Sequence, residues 1–229
     1  HAHQNTEDSS YTRCLDSRSF AALWQRIKSS YFWRFNQAPL YRNRIRQTPF
    51  CAPVQPWNTP ASMLDKMPDI LHLHFIAHFI DYPSFFHSLP RGLPIVWRIP
   101  DMSPLTAGCH YTWGCERYKS KCQACPQLNL QLNKDIAARY WEMKAEALEG
   151  LNLHLVANCE WGAERARESA LMRHAKSVRV IHTGVENDIF YPRNQSELRK
   201  KLGLSQGRKM VCFSAEILDD ERKGLDDVL

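Results

Sequence analysis

The chain has 229 residues, of which 44% are hydrophobic and 24% are charged, and this balance excludes wholesale disorder. No apolar run approaches the roughly 18 residues that a membrane-spanning helix needs, so the sequence predicts no transmembrane helix. The formal net charge of +6 is concentrated between Ser17 and Leu64, where seven basic residues occur without an acidic one.

Residues 1–67 form a basic segment that is rich in aromatic residues and proline. Basic residues interleaved with aromatic rings favour either an anionic membrane surface or a single-stranded nucleic acid as partner. A further interpretation is a pair of helices whose aromatic side chains are core and whose arginines are solvated. We expect residues 18–46 to contact an anionic membrane surface, and we expect no nucleic acid partner.

From Pro68 onward, short apolar runs alternate with helical patterns. Strands are predicted at 69–75, 94–99, 153–157, 178–181 and 209–214, and helices at 76–89, 133–149, 160–174 and 196–202. Strands separated by helices at this spacing indicate right-handed crossovers and a parallel sheet with helices on both faces. The predicted fold class is therefore α/β with a Rossmann-like parallel sheet.

An irregular loop at 101–128 holds four of the eight cysteines, namely Cys109, Cys115, Cys122 and Cys125. The last two are separated by two residues, the gap by which zinc knuckles place two thiolates on one metal ion. A bound zinc would order a loop that is too poor in apolar residues to order itself. We predict a structural zinc site, with two disulfides or four free thiols as the alternatives. Because the other four cysteines are scattered, a reducing compartment is favoured.

Ligands of doubly wound folds bind at the carboxyl ends of the strands, so residues at those ends are candidates for chemistry. His74 lies at the end of the first predicted strand, on the same face as His72, and Asp101 directly follows the second. We predict His74 and Asp101 to be catalytic, the carboxylate reaching a substrate hydroxyl. The alternatives are a structural histidine and an aspartate that caps a turn. His110 either replaces one thiol at the zinc site or faces the cleft.

The segment Asp219–Gly224 follows the fifth predicted strand and opens a helix. A lysine beside a glycine at such a point, here Lys223, can bind a diphosphate held by free backbone N–H groups. The alternative is a solvated surface loop. The chain has nine glycines and contains no glycine-rich nucleotide-binding motif.

Taken in order, these segments resemble the bacterial glycosyl transferases group 1, which are retaining enzymes with the two-lobed GT-B fold. The resemblance runs from Pro68 to Gly224, and the block from TAGCHY to CPQL resembles that of a subset that acts on envelope polysaccharides. The segments are PDILHLHFI, PIVWRIPDMSPLTAGCHY, CQACPQL, LVANCEWGAERARES, VRVIHTGVENDIFYP, LRKKLGL and VCFSAEILDDERKG.

The resemblance implies a truncated N-terminal lobe followed by the start of a second lobe. In this interpretation, residues 1–67 belong to the N-terminal lobe, 68–181 form its Rossmann-like acceptor side, 182–194 link the lobes, and 195–229 begin the nucleotide-sugar lobe. Lys223, helped by Arg222, would bind the donor diphosphate, and catalysis would require no cofactor.

The resemblance also implies transfer of a sugar from a nucleotide-sugar donor to a saccharide or lipid-linked acceptor, in cell-surface polysaccharide biosynthesis. Such an enzyme would be cytoplasmic or peripheral on the inner face of the cytoplasmic membrane. The chain departs from the family at two positions. Pro100 stands where the family often has a histidine before the aspartate, and Glu216 stands near the position of a family arginine. We expect the chain to be an internal fragment that is inactive alone. The alternatives are a zinc-bearing nucleic-acid-binding module and an inactive glycosyltransferase-like scaffold.

Overall fold

A computed structural model of the protein describes residues 27, 30–34, 49–57, 66–130, 135–218 and 220–228. The chain divides into two compact units, His1–Thr183 and Gly184–Leu229. Among the described residues, no helix is long and apolar enough to cross a membrane. Most of the basic segment 18–46 lies outside the described residues, so its predicted contact with a membrane stays a prediction.

The first unit is built on a sheet of four parallel strands. These are β1 (Leu71–Leu73), β2 (Pro94–Ile99), β3 (Asn152–Ala157) and β4 (Ser177–Val180). They lie side by side in chain order, with Leu71 opposite Ile95, Trp97 opposite Leu155, and Leu155 opposite Val178. The predicted α/β class with a Rossmann-like parallel sheet is confirmed.

Three helices connect or follow these strands: α1 (Tyr82–Phe86), α2 (Ile136–Leu148) and α3 (Glu160–Glu168). The helix predicted at 76–89 is reduced to α1, because Asp81 caps its start by accepting a hydrogen bond from the Ser84 N–H. The helix predicted at 160–174 ends at Glu168. Ser169 leaves the helical conformation, with ψ at 125°, and its hydroxyl donates to the Leu105 carbonyl oxygen at 2.8 Å.

Burial alternates along the central strands of the sheet. In β2 the side chains of Ile95, Trp97 and Ile99 are buried, whereas the residues between them are half-buried, and β3 shows the same alternation. Right-handed crossovers that always step in one direction along a sheet place their helices on one face. The described residues therefore bury one face much more than the other, and the expectation of helices on both faces is not met.

The main core cluster of the first unit lies against the buried sheet face and includes residues of α1, α2 and α3. Trp97 and Phe86 are fully buried, with ring centroids 5.7 Å apart, and the Tyr82 ring lies 5.1 Å from that of Phe86. The Trp97 Nε1–H donates to the carbonyl oxygen of His74 at 3.2 Å. This hydrogen bond fixes the residue that follows β1 against the middle of β2.

The second unit contains α4 (Gln195–Lys201) and a single 3₁₀ turn at Glu221–Lys223 within its described part. Asn194 caps α4 by accepting from the Glu197 N–H at 3.2 Å. The strand predicted at 209–214 is absent: this segment has no assigned secondary structure, and Val211 is 80% exposed. An extended segment becomes a strand only when a neighbour pairs with it, and none of the described residues does so.

Candidate functional site

The parallel arrangement brings the residues that follow the strands to one edge of the sheet. His74 follows β1, Asp101 lies two residues after the end of β2, and Asn158 follows β3. After β4, His182 Nδ1–H donates to the Asn158 carbonyl oxygen at 3.0 Å, which ties the ends of β3 and β4 together. This carboxyl edge is where ligands bind in open α/β sheets.

Asp101 uses both carboxylate oxygens within the protein. Oδ2 lies 2.7 Å from His110 Nδ1, and Oδ1 accepts the Ser103 N–H at 2.8 Å. Burial alone would raise the pKa of Asp101, but the hydrogen bonds from His110 and Ser103 and the charge of His110 outweigh it, so the pKa lies below its ordinary value. Asp101 is thus an ionised carboxylate that orients His110, and its predicted contact with a substrate hydroxyl stays a prediction.

His110 continues from Asp101 into a chain of hydrogen-bonding side chains. Its Nε2 lies 2.9 Å from the sulfur of Cys51, and the same sulfur lies 3.0 Å from Nε2 of His78. Cys51 and His110 are buried, whereas His78 is exposed. The hydrogen-bond chain, defined as Asp101, His110, Cys51 and His78, therefore runs from the end of β2 to the protein surface.

The carboxylate fixes the donor at the first step of this chain. An ionised carboxylate only accepts, so His110 donates from Nδ1. Beyond His110 the direction depends on its charge: a neutral His110 accepts the Cys51 S–H at Nε2, whereas a protonated His110 donates to the Cys51 sulfur. Burial raises the pKa of Cys51 to about 12, which keeps the thiol protonated.

Cys51 reaches His110 because residues 49–51 run antiparallel to residues 108–110. The Cys51 N–H donates to the Gly108 carbonyl oxygen at 2.8 Å, and the His110 N–H donates to the Pro49 carbonyl oxygen at 3.2 Å. A Cβ atom at Gly108 would collide with the Cys51 carbonyl oxygen and lie 2.8 Å from the Phe50 ring. Glycine is therefore required at 108 by this close approach of two backbones.

Lys144 of α2 holds the loop that carries His110. Its Nζ donates to the carbonyl oxygens of Ser103 at 2.6 Å and Thr106 at 3.0 Å, and lies 5.0 Å from the centre of the Tyr82 ring. Burial lowers the pKa of Lys144 to about 8, although the nearby thiols and Asp101 oppose that shift. The helical pattern alone did not single this lysine out, because one lysine on a helix is usually solvated.

The four loop cysteines are free thiols in this structure, which is one of the alternatives to the predicted zinc. Burial raises the pKa of Cys109 to about 12 and that of Cys122 to about 11, and the neighbouring thiols add to both shifts. Within the described residues, no group of three or more His, Cys, Asp or Glu side chains is arranged to hold a metal ion. The thiols thus lie near one another without converging as a zinc site requires, and structural zinc stays a prediction.

His74, the other predicted catalytic residue, is exposed at the same edge. Its ring lies 4.3 Å from that of His72, and no hydrogen bond or ring contact among the described residues joins it to Asp101. The next residue, Phe75, is 55% exposed and lies 5.8 Å from the His110 ring. The structure therefore brings Asp101 together with His110 rather than with His74.

Lys223 and Arg222, the predicted diphosphate-binding pair, lie in the 3₁₀ turn of the second unit. The Arg222 Nε–H donates to Asp220 Oδ1 at 2.8 Å, and its terminal N–H group donates to the other oxygen of the same carboxylate. Lys223 is exposed, and its side chain makes no hydrogen bond or ion pair to any described residue. Of the two, Lys223 is thus the cation available to an anionic ligand.

Sequence reasoning missed Cys51 and His78 as members of the site. Cys51 lies outside the predicted strands and helices, and 59 residues separate it from His110. His78 is the third histidine of the run His72–His78, and this clustering is the one signal in the sequence that could have indicated it. Its backbone φ of 60° is left-handed, which is uncommon for a residue other than glycine.

Comparison with known proteins relates the chain to one class of enzyme. No protein-family model matches the chain, and no solved structure matches it. A curated Escherichia coli (strain K12) protein, WcaC, which carries the provisional description of a colanic acid biosynthesis glycosyl transferase, is 33% identical over 69 residues. The match covers 27% of this chain and 17% of that protein. The chain is therefore similar, over part of its length, to a glycosyl transferase.

Proposed function

We propose that the chain is part of a retaining, sugar-nucleotide-dependent glycosyltransferase of the GT-B type that builds a cell-surface polysaccharide. The first unit would bind the acceptor, which is a saccharide or a lipid-linked saccharide, and the second would begin the donor-binding lobe. Residues 182–194 would link the two lobes. The whole protein would work in the cytoplasm or at the inner face of the cytoplasmic membrane, with residues 18–46 at the membrane surface.

The carboxyl edge of the parallel sheet supports this proposal. Ligands bind at such edges, and the similarity of the chain to a glycosyl transferase indicates a sugar as the ligand. That edge holds Asp101 with His110, and the exposed His74 and Phe75 lie beside them. Exposed aromatic and imidazole rings offer apolar faces together with hydrogen-bonding atoms, which suits a ligand with both hydroxyl groups and C–H faces.

Lys223 supports the donor side of the proposal. Departure of a nucleoside diphosphate develops negative charge, and a positioned cation or a set of N–H donors lowers the free energy of that transition state. Lys223 is exposed and has no side-chain partner among the described residues, whereas Arg222 is held by Asp220. We therefore assign the diphosphate contact to Lys223 and give Arg222 the supporting role.

Sugar transfer by the protein translated from the complete reading frame tests the proposal. The protein is incubated with radiolabelled UDP-glucose, UDP-galactose, GDP-mannose or GDP-fucose and a lipid-linked saccharide fraction, and product formation is followed. Lys223→Ala is expected to lower kcat/KM by about 100-fold, because it removes a cation from the leaving diphosphate. Lys209→Ala removes an exposed lysine of the same unit and serves as the control.

Failure of all donors to support transfer would contradict the proposal, as would equal rates for Lys223→Ala and Lys209→Ala. Retention is tested on the product: an α-linked donor is expected to give an α-linked glycoside, which anomeric coupling constants report. The 229-residue chain on its own is expected to transfer no sugar.

A further inference from the structure

One face of the parallel sheet is partly open. The other face packs against core residues of α1, α2 and α3, whereas the side chains of this face are half-buried or exposed. Parallel sheets are normally covered on both faces, so a face of this kind is a candidate binding surface. We call it the open face, and it comprises His72, His74, Pro94, Val96, Arg98, Asn152, His154, Val156, Ser177 and Arg179.

The open face is cationic. It carries two arginines and three histidines, and the four strands contain no Asp or Glu. Among the described residues, neither Arg98 nor Arg179 forms an ion pair. The Arg98 guanidinium donates to the Thr183 hydroxyl at 3.2 Å, and its other N–H groups remain free to donate to a ligand.

The strand register sets the spacing of the two guanidinium groups. Val156 of β3 lies between Arg98 of β2 and Arg179 of β4 in one row across the sheet. Because neighbouring strands lie about 4.8 Å apart, the Cα atoms of the two arginines are about 10 Å apart. Val96, on β2, lies in the next row on the same face. The arginines therefore stand on either side of a shallow apolar strip.

The histidines of the open face add hydrogen-bonding groups around this strip. His72 and His74 have ring centroids 4.3 Å apart, which confirms that both side chains lie on one face of β1 and its continuation. His154 lies in the same row as His72, and its Nδ1 is 2.9 Å from the Ser177 hydroxyl oxygen. The surface thus combines cations, imidazole nitrogens and a small apolar area.

We propose that the open face binds an anionic oligosaccharide, whose carboxylate groups pair with Arg98 and Arg179. This inference rests on the proposed function and names the chemical class of its acceptor. A guanidinium group binds a carboxylate through two parallel hydrogen bonds, which makes such pairs stronger than neutral ones. The C–H face of a sugar ring would pack on Val96 and Val156, and sugar hydroxyls would contact the imidazoles.

Two other anionic partners fit the open face less well. Single-stranded nucleic acids bind by stacking their bases on aromatic rings beside the phosphate contacts, and the open face carries no Phe, Tyr or Trp. A membrane surface is bound by exposed apolar side chains that enter the headgroup region, whereas Val96 and Val156 are half-buried. The charge of the face together with its lack of such rings therefore favours a saccharide.

Titration of the ¹⁵N-labelled 229-residue chain with trigalacturonate, followed by NMR, tests the proposal. Trigalacturonate is expected to shift amide resonances of β2, β3 and β4, and higher ionic strength should weaken this binding because salt screens the charges. Its methyl ester has the same sugar rings without the charges and is expected to bind at least tenfold more weakly. A hyaluronan tetrasaccharide serves as a second carboxylate-bearing probe.

Three variants identify the residues that bind the carboxylates. Arg98→Gln and Arg179→Gln are each expected to weaken trigalacturonate binding about tenfold, because each removes one charge-assisted pair. Arg167→Gln removes an exposed arginine from α3, the helix that packs on the buried face of the sheet, and is the matched control. The amide spectrum of each free variant shows whether the sheet is intact.

The proposal is overturned if neither carboxylate-bearing probe shifts the strands, if the methyl ester binds as tightly as trigalacturonate, or if Arg167→Gln weakens binding as much as Arg98→Gln. Tighter binding of a single-stranded RNA oligomer, or of vesicles of phosphatidylcholine and phosphatidylglycerol, would also overturn it. These outcomes are independent of sugar transfer by the whole protein. Absence of transfer would contradict the proposed function while leaving trigalacturonate binding measurable, and transfer without such binding would contradict only this inference.

Discussion

Asp101 links the end of β2 to the loop that carries His110 through both of its carboxylate oxygens. The groups that donate to it keep its pKa below the ordinary value in spite of burial. A carboxylate with a lowered pKa in the folded state stabilises the protein above its unfolded-state pKa, and this contribution is lost as pH falls through the folded-state pKa. The charge of Asp101 is therefore a stabilising feature at neutral pH.

We predict that Asp101→Asn lowers the free energy of unfolding by about 2 kcal/mol at pH 7, because the amide carries no charge and has one acceptor oxygen where the carboxylate uses two. The difference from the unmodified protein should shrink as pH falls below about 4, where the unfolded-state carboxyl is protonated. Urea unfolding between pH 3 and pH 7 measures both effects. Asp69→Asn, at an exposed aspartate of the same unit, is the control. A difference that does not change with pH would contradict the assignment.

Lys144 is the buried cation of the site, and its substitution leaves two carbonyl oxygens without a donor. Lys144→Met is expected to lower the free energy of unfolding by about 2–4 kcal/mol at pH 7. From pH 8 towards 10.5, the unfolded chain binds a proton that native Lys144 has released, so the native form should gain stability relative to the variant.

The check on Lys144 is denaturant unfolding of both proteins from pH 7 to pH 10, with Lys176→Met as an exposed lysine control. The thiols and phenols with raised pKa values, among them Cys51, Cys109 and Cys122, stay protonated in the native state over this range, so their contribution is common to both proteins and cancels in the difference. If that difference stays flat above pH 8, the described burial of Lys144 is wrong.

Gly108 is the residue at which the site depends on the absence of a side chain. Gly108→Ala should cost about 1–3 kcal/mol, because the new methyl group forces residues 49–51 away from residues 108–110. Amide hydrogen exchange at Cys51 should quicken in the same variant, since its N–H donates to Gly108. Gly92→Ala is the matched control, since nothing lies within 4 Å of a Cβ there. Equal melting temperatures for the two variants would contradict the close approach.

At the scale of elements, α2 is positioned by the residue that precedes it. Asp135 Oδ1 accepts the Ala138 N–H at 2.8 Å, and Oδ2 accepts the Cys125 N–H at 2.9 Å, so one side chain caps the helix and fastens the cysteine-rich loop. Asp135→Ala is expected to lower the free energy of unfolding by about 1–2 kcal/mol.

Thermal unfolding of Asp135→Ala and of Glu146→Ala tests this cap, the latter lying at an exposed position within the same helix. Only the first variant should lose stability, because Glu146 has no capping role and alanine favours a helix. Equal stability of both variants would show that Asp135 does not fasten α2.

The strands of the first unit were predictable because each is an apolar run bounded by polar or turn residues. Pro94–Ile99 matches its prediction residue for residue, and β3 and β4 match within one residue at each end. The run at 209–214 has the same local pattern but no pairing partner among the described residues. The local pattern therefore predicts a strand that the structure does not contain at this segment. The helix predicted at 76–89 is longer than α1, because the Asp81 cap starts the helix only at Tyr82.

At the scale of the whole molecule, the sequence placed Asp101 at the carboxyl edge but left its partner open. The fold brings it to His110 rather than to His74, through a loop whose path is set by hydrogen bonds from Lys144, Ser169 and the 49–51 segment. Such loop contacts have no periodicity in the sequence, so neither Cys51 nor His78 could be predicted from spacing. Strand ends are predictable, whereas contacts between distant loops follow only from the folded chain.

The two units differ in how much core they contain within the described residues. The first buries the aromatic and aliphatic side chains around Trp97, whereas no described residue of 184–228 is buried. Native-state hydrogen exchange should therefore show slow amides in β2 and β3 and uniformly fast ones in the second unit of this chain. Slow exchange across 195–223 would contradict that prediction.

The proposed function requires the whole protein to bind an activated sugar whose diphosphate contacts Lys223. Isothermal titration of the protein from the complete reading frame with nucleotide sugars measures this binding. We expect one-to-one binding of at least one nucleotide sugar, competed by the matching nucleoside diphosphate and weakened by about tenfold or more in Lys223→Ala but not in Lys209→Ala. Failure of every UDP-, GDP-, ADP- and dTDP-sugar to bind, or binding that ignores Lys223, would contradict it.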